Sequence, residues 1–195
     1  MNTPEVSNVK GTSILLGGIV LLSAAAAAAD QGSKVDQVVA LLSGYEYEAS
    51  KADFDAVGPE APSALMQVAS DAGLVKIVRA RALLALRFYP GEKTKAFILG
   101  VVTAQGQDEM LVRKGLHALA AGFGKSALDD LAPFLEHENP DVREAAARAV
   151  GGIACKKALK LLTRRLAVEK NAMVLTVLKE QIAGLKQKIK KGAGK

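Results

Sequence analysis

The sequence is poor in aromatic side chains and in cysteine. Phe, Tyr and Trp together make up 4% of the 195 residues, and tryptophan is absent. Strands favour β-branched and aromatic side chains, whereas this chain is dominated by alanine, leucine and lysine, so the composition predicts helices. The single cysteine, Cys155, excludes an internal disulfide and shows no metal-ligand spacing. We expect it to be a small, buried or half-buried side chain near a helix end.

Motifs for catalysis, metal binding and phosphate binding are also missing. The only histidines are His117 and His137. In the EHE sequence at 136–138, one imidazole and two flanking carboxylates make a poor metal site. The GFGKS sequence at 122–126 lacks the spacing of a phosphate-binding loop and is typical of a turn. We therefore predict no catalytic site, no metal and no cofactor.

The first 29 residues differ from the rest of the chain. A polar lead with Lys10 precedes an uncharged stretch at 11–29 that ends in a run of alanines. This order is typical of a secretory signal peptide, with cleavage after one of the last alanines. The same stretch would be about 28 Å long as a helix, enough to cross the hydrocarbon core of a bilayer. The sequence thus predicts a periplasmic or secreted protein, with a membrane anchor or a buried alanine-rich helix as alternatives.

Positive charge is concentrated at the carboxyl end. Residues 156–195 contain twelve lysines and arginines and two glutamates, whereas the rest of the chain carries a net charge of −4. Such a block suits a phosphate-rich partner or an anionic membrane surface, and it also keeps the exposed end of a helical protein soluble. Its last part, the basic tail at 186–195, contains Lys186, Lys188, Lys190 and Lys191.

Helical periodicity recurs through the middle of the chain. In residues 142–153, small and apolar side chains are three and four positions apart, as on the buried side of an amphipathic helix. The same pattern recurs three more times, with its first valine 34, 30 and 32 residues after the previous one. These valines are Val78, Val112, Val142 and Val174. A period in the thirties, with a helical segment before each valine and turn residues between, predicts stacked helical hairpins.

One stretch carries a resemblance to a known family. The sequence LAPFLEHENPDVREAAARAVGGI at 131–153 resembles a short bacterial HEAT repeat, with Pro133 inside the first helix, an NPDVR turn and a second helix. The proline is expected to bend that first helix. The resemblance implies an all-α, right-handed α-solenoid of stacked helical hairpins, with about four units and a divergent N-terminal cap. The predicted segments are a signal peptide or membrane anchor at 1–29, the cap at 30–60, the HEAT-like array at 61–185 and the basic C-terminal tail at 186–195.

The resemblance also implies two sets of functional residues. In the first, an arginine near the start of each second helix hydrogen-bonds an acid in the turn of a neighbouring unit. The matching positions are Arg79, Arg113 and Arg143, with Asp71, Asp108 and Asp141 as acceptors; a row that binds phosphate or carboxylate groups is the alternative role. The second set lies on the second helices, which line the concave side of such arrays. The expected exposed contacts are Arg81, Lys114, His117, Glu144 and Arg148.

We therefore expect a scaffold that binds another protein and does no chemistry. Some HEAT-like proteins are di-iron hydroxylases, but these need several His-Glu pairs and this chain has one. Others are DNA glycosylases with a basic groove, whereas here the charge gathers at one end and aromatics are few. A module that binds nucleic acid or an anionic membrane through the basic C-terminal end is the alternative. For membrane binding, the apolar side of the last helix is expected to pack on its neighbour up to Leu185, with its role beyond that open.

Overall fold

In a computed structural model of the protein, residues 33–44 and 49–192 are described. These ranges are helical and contain no strand, which confirms the predicted all-α solenoid. The predicted signal peptide or anchor at 1–29 lies outside the described residues. The α-helices are α1 (33–43), α2 (Lys51–Val57), α3 (Ala61–Ser70), α4 (Lys76–Ala85), α5 (Glu92–Val102), α6 (Glu109–Phe123), α7 (Leu128–Leu131), α8 (Pro140–Gly152), α9 (Lys156–Leu166) and α10 (Ala172–Gly192).

Consecutive helices form four hairpins that stack on one another. The hairpins are α3–α4, α5–α6, α7–α8 and α9–α10. The second helices α4, α6, α8 and α10 pack side by side in that order and form a continuous layer. Ion pairs join neighbouring first helices, with Lys95 Nζ 2.7 Å from Asp130 and Lys157 Nζ 2.6 Å from Asp129. The exposed side chains of the layer form what we call the second-helix face.

The recurring valines lie where the periodicity predicts. Their exposed fractions are 4, 6, 2 and 0% for Val78, Val112, Val142 and Val174. They belong to one cluster of buried side chains that extends from Val38 to Leu185. Burial of an amphipathic stripe, rather than helix propensity alone, holds short helices of this kind in place.

Residues in the turns cap the second helices and so fix where each one begins. Asp108 Oδ1 accepts a hydrogen bond from Met110 N at 3.0 Å, and Asn139 Oδ1 accepts one from Asp141 N at 2.8 Å. Asn171 plays the same part for α10. Cys155 caps the first helix of the last hairpin through its sulfur, which accepts from Ala158 N at 3.4 Å. These caps satisfy backbone N–H groups that have no partner within the helix.

The first helix of the third hairpin is broken rather than bent. Only the single turn of α7 is α-helical, and 3₁₀ turns flank it at Gly124–Ala127 and Ala132–Glu136. Pro133 lacks an N–H group, and its ring conflicts with the carbonyl four residues earlier, so the α-helical ladder cannot continue through it. The tighter 3₁₀ turn still buries Phe134 and Leu135.

The last helix is covered along its apolar side. Leu178, Ile182 and Leu185 are buried, and Ile189 packs against the core with partial exposure. The basic tail therefore contains one side chain packed against the core, Ile189, whereas Lys186, Lys188, Lys190 and Lys191 are exposed. Within residues 33–44 and 49–192, no helix combines the length and the hydropathy needed to span a bilayer.

Candidate functional site

Most of the predicted contact residues come together where α6 and α8 lie side by side. Arg113, Lys114 and His117 are on α6, and Glu144 and Arg148 are on α8; we call these five residues the α6–α8 cluster. The two arginine side chains are 45 and 44% exposed, and Lys114 and His117 are half-buried. The cluster is positioned by the second-helix layer, because residues three and four apart on a helix share one face.

Glu144 is the acid of the cluster, and it is not an exposed contact as expected. The residue is 8% exposed. Its carboxylate accepts a hydrogen bond from Arg148 Nε, and its second oxygen lies 3.7 Å from Arg113 Nη2. A carboxylate at this depth needs such partners because burial removes its hydration. Glu144 therefore neutralises part of the positive charge of Arg113 and Arg148 from a buried position, while both arginine side chains remain accessible to solvent.

The electrostatic field at His117 is positive. Burial lowers the pKa of its imidazole, and the charge of Lys114 lowers it further. Glu144 acts in the opposite direction, and Arg113 and Arg148 add to the lowering. These effects favour the neutral imidazole, and the three cations around it outnumber Glu144.

Several donors of the cluster have no acceptor. In the part of the chain that the structure describes, no hydrogen bond or ion pair engages Lys114 or His117, and only the Nε atom of Arg148 has a partner. The two terminal nitrogens of Arg148 thus remain free in a 44% exposed side chain. Exposed, convergent and unpaired donors are a typical feature of a binding surface for oxygen acceptors.

Arg81 does not belong to the exposed surface. Its Nη1 atom donates hydrogen bonds to the carbonyl oxygens of Leu42 and Gly44, both at 2.7 Å. These carbonyls end α1, so the guanidinium caps that helix and ties it to α4. The expectation that Arg81 is an exposed contact was wrong because the long side chain turns towards the preceding helix.

The three ladder arginines have different acceptors in the structure. Arg79 Nε donates to the carbonyl oxygen of Ala69 at 3.2 Å, and Arg113 Nη1 donates to Glu109 at 3.3 Å. Arg143 donates through Nε and Nη2 to Glu169, both at 2.9 Å. None of these acceptors is one of the predicted aspartates, so the predicted pairing was wrong. The structural bracing role of the arginines stays a prediction.

The aspartates proposed as acceptors serve the turns instead. Asp71 Oδ1 accepts from Gly73 N at 2.8 Å. Asp108 caps α6 and pairs with Lys76 at 2.6 Å, and the hydrogen bond from Lys76 lowers the pKa of its carboxyl. Asp141 lies in the first turn of α8, where a negative charge is favoured by the helix dipole.

Glu169 is the acid that the sequence-based reasoning missed. Its side chain is 1% exposed and lies between Arg143 and Arg165, with Arg165 Nη2 at 2.8 Å. It also accepts hydrogen bonds from the backbone N–H groups of Lys170 and Asn171. The hydrogen bond from Arg143 is the largest cause that lowers its pKa to about 2. A sequence signal existed: Glu169 is the only acid between Glu144 and Glu180.

This network joins the third hairpin to the fourth. Arg143 also donates to the carbonyl oxygens of His137 and Glu138, both at 2.8 Å, and Arg165 pairs with Glu136. The network therefore connects the turn before α8 to the turn before α10. In residues 33–44 and 49–192, no group of three or more side chains is arranged to hold a metal ion.

Comparison with known families identifies this part of the chain. Residues 103–183 match the family described as HEAT repeats. This segment is similar to a HEAT-repeat array. It contains the α6–α8 cluster and the whole Glu169 network, so both lie within the matched residues. A search among curated proteins found no match to the chain.

Proposed function

We propose that the protein is a scaffold that binds another protein through its second-helix face. Solenoids of stacked repeats present extended surfaces of this kind, and their function lies in the surface residues rather than in the fold. The observation that carries the proposal is the α6–α8 cluster, in which half-exposed cations and unpaired donors lie on rigid helices. The array serves as a passive surface and takes no part in chemistry.

Rigidity supports this mechanism. Docking is weakened when side chains and loops must become ordered, and it is favoured when the surface exists beforehand. Here α8 is tied to the last hairpin by the Arg143–Glu169 pair, and the α6 helix is capped at its start by Asp108. A partner thus meets a surface whose geometry is already set.

Photo-crosslinking from single positions tests the assignment of the face. A photoreactive amino acid replaces Ala121 on α6 or Arg148 on α8, both on exposed positions of second helices. Lys93 on α5 and Lys160 on α9, exposed on first helices, provide matched controls. We expect one discrete adduct in cells from positions 121 and 148 and none from the controls. The same adduct from 93 or 160 alone would contradict the assignment.

We also propose that the protein acts outside the cytoplasm or tethered to a membrane. The support is the charged lead and the apolar stretch at 11–29. Intact mass and cell fractionation distinguish the two forms. A mass that begins near Asp30 in a soluble extracytoplasmic fraction is the expected result. A mass that begins at Met1 in the membrane fraction would indicate an anchor, and the full mass in the cytosol would contradict both forms.

The basic C-terminal end is a second candidate surface. Among the described residues, its cations outside Lys157 and Arg165 form no ion pair. Because the apolar side of α10 is covered by packing, attachment to an anionic membrane or a nucleic acid would rest on charge alone. Such attachment would weaken steeply as salt rises.

A further inference from the structure

We propose that the partner docks on the α6–α8 cluster through an acidic segment, whose carboxylates are bound by Lys114, His117 and Arg148. This inference rests on the proposed function and specifies the chemistry of the partner. It is carried by geometry: Lys114, His117 and the terminal nitrogens of Arg148 have no acceptor among the described residues, and Glu144, the acid of the cluster, is buried beside them.

The size of the cluster suits a short acidic segment. Packed helices have axes about 8–10 Å apart, so cations on two helices span about three residues of an extended peptide. On the α4 side, Arg81 is engaged with the end of α1 and does not extend the cluster. On α10, the exposed neighbours Lys179 and Glu180 carry opposite charges.

The side chains around the cluster favour a polypeptide over a nucleic acid. Met110 is 39% exposed and lies three and four residues before Arg113 and Lys114, so it is on the same side of α6. A nucleic acid would need a longer row of cations and aromatic surfaces for its bases. A peptide that combines carboxylates with one apolar side chain fits the cluster and Met110 together.

The arginine geometry supports carboxylate binding. Arg148 uses Nε for Glu144, which holds the guanidinium in place and leaves both terminal nitrogens without a partner among the described residues. A guanidinium held in place binds a carboxylate with less loss of side-chain entropy than a free one. Glu144 is therefore a positioning residue for Arg148, and its negative charge is offset by its two arginine partners.

Fluorescence anisotropy with a labelled hexaglutamate peptide tests the proposal on the purified full-length protein. Lys114→Glu is the main variant, because Lys114 forms no hydrogen bond or ion pair among the described residues. Lys160→Glu is the matched control, since it makes the same change in net charge on an exposed, unpaired position of α9. We expect Lys114→Glu to weaken binding about tenfold and Lys160→Glu to change it less than about twofold.

Three outcomes would overturn the proposal. One is equal loss of affinity in both variants, which would show a response to net charge only. Another is equal binding of a hexaglutamine peptide, which would show that carboxylates are not recognised. The third is displacement of hexaglutamate by a short oligothymidylate at lower concentration, with the same loss in Lys114→Glu, which would make the ligand a nucleic acid.

NMR of His117 provides a readout that net charge does not produce. A bound carboxylate beside the imidazole should raise its pKa, because it opposes the field of Lys114, Arg113 and Arg148. We expect the rise with hexaglutamate and not with hexaglutamine, and an unchanged titration with hexaglutamate would overturn the proposal. If hexaglutamate does not bind but crosslinking from positions 121 and 148 yields an adduct, the proposed scaffold function is supported. In that case only the proposal of an acidic partner segment is wrong.

Discussion

Glu144 and Glu169 are both buried, but the exposure of their arginine partners differs and gives the two ion-pair groups different roles. The side chain of Glu169 is 1% exposed, and both of its arginines are 12% exposed. Each oxygen of this acid is occupied, so nothing is left for a ligand. The side chain of Glu144 is 10% exposed, but its arginines are nearly half exposed and keep free donors. The first arrangement braces the fold, and the second leaves a surface able to bind.

Glu169→Gln should lower the free energy of unfolding by about 3 kcal/mol at pH 7. The amide preserves the shape of the side chain but leaves the buried Arg143 without its carboxylate partner and Arg165 with Glu136 alone. Urea unfolding of both proteins, followed by circular dichroism, measures the difference. Glu180→Gln, which removes an exposed and unpaired acid from α10, should change stability by no more than about 0.5 kcal/mol. A similar loss in both variants would mean that the network is not the cause.

The pH dependence of the same difference tests its origin. The pKa of Glu169 is depressed to about 2 in the folded protein from an ordinary value of 4.5. A carboxyl group whose pKa is lower in the folded protein stabilises the fold at any pH above its pKa in the unfolded chain. This stabilisation is lost as the pH falls towards the pKa in the folded protein. The gap between wild type and Glu169→Gln should therefore be constant above about pH 5 and shrink between pH 4.5 and pH 2. A gap that is unchanged at pH 3 would exclude the carboxylate charge as its source.

Sequence reasoning identified cations on the second helices but could not assign their partners. Arg81, Arg143 and Arg148 all lie on such helices, yet one caps α1, one is buried against Glu169 and one is exposed. An arginine side chain reaches across a full helical turn, so its partner depends on packing distances that a single sequence does not contain. The valine stripe was predictable because burial repeats with the helical period.

At the scale of helices, Gly115 lets α6 pack tightly against its neighbours. Gly115 faces α4 and α5, and a Cβ atom placed there would be 2.3 Å from Val102 Cγ1 and 3.2 Å from Leu83 Cδ2. The absence of a side chain lets the three helices pack at this distance. The cost is a lower helix propensity, which packing offsets here.

Gly115→Ala should destabilise the protein by about 1–3 kcal/mol, because the added methyl group forces Val102 and its helix to move. Gly100→Ala is the matched control in the same hairpin, since nothing lies within 4 Å of a Cβ atom at that position. There the gain in helix propensity should stabilise the protein by about 0.5–1 kcal/mol. Thermal unfolding of the two variants should thus shift in opposite directions. A shift of Gly115→Ala to higher temperature would contradict the packing argument.

The helices themselves were largely predictable, and the exception has a local cause. The second helices α6, α8 and α10 each begin with a capping side chain before the buried valine, so pattern and cap agree on their start, whereas α4 begins after Val75 without a side-chain cap. The segment around Pro133 has the apolar spacing of a helix, and periodicity alone cannot distinguish an α-helix interrupted by proline from a run of 3₁₀ turns. The missing N–H group decides the outcome there.

At the scale of the whole molecule, one buried cluster connects all four hairpins, while positive charge accumulates at the last one. The core continues to Leu185, and among the residues of the basic tail that the structure describes, only Ile189 packs against the core. In an array of this kind, each hairpin is stabilised mainly by its immediate neighbours. The end of α10 therefore separates residues that hold the fold from residues that only carry charge.

Two truncations test where that separation lies. Deletion of 186–195 removes Ile189 and the lysines of the tail, and it should cost about 1 kcal/mol while a single sharp unfolding transition is kept. Deletion of 178–195 also removes the buried Leu178, Ile182 and Leu185, and it should cost about 5 kcal/mol or more. Because the Arg143–Glu169 network is anchored by the same hairpin, this longer deletion should also abolish the pH-dependent part of the stability. Loss of cooperative unfolding in the shorter deletion would instead place the basic tail within the structural core.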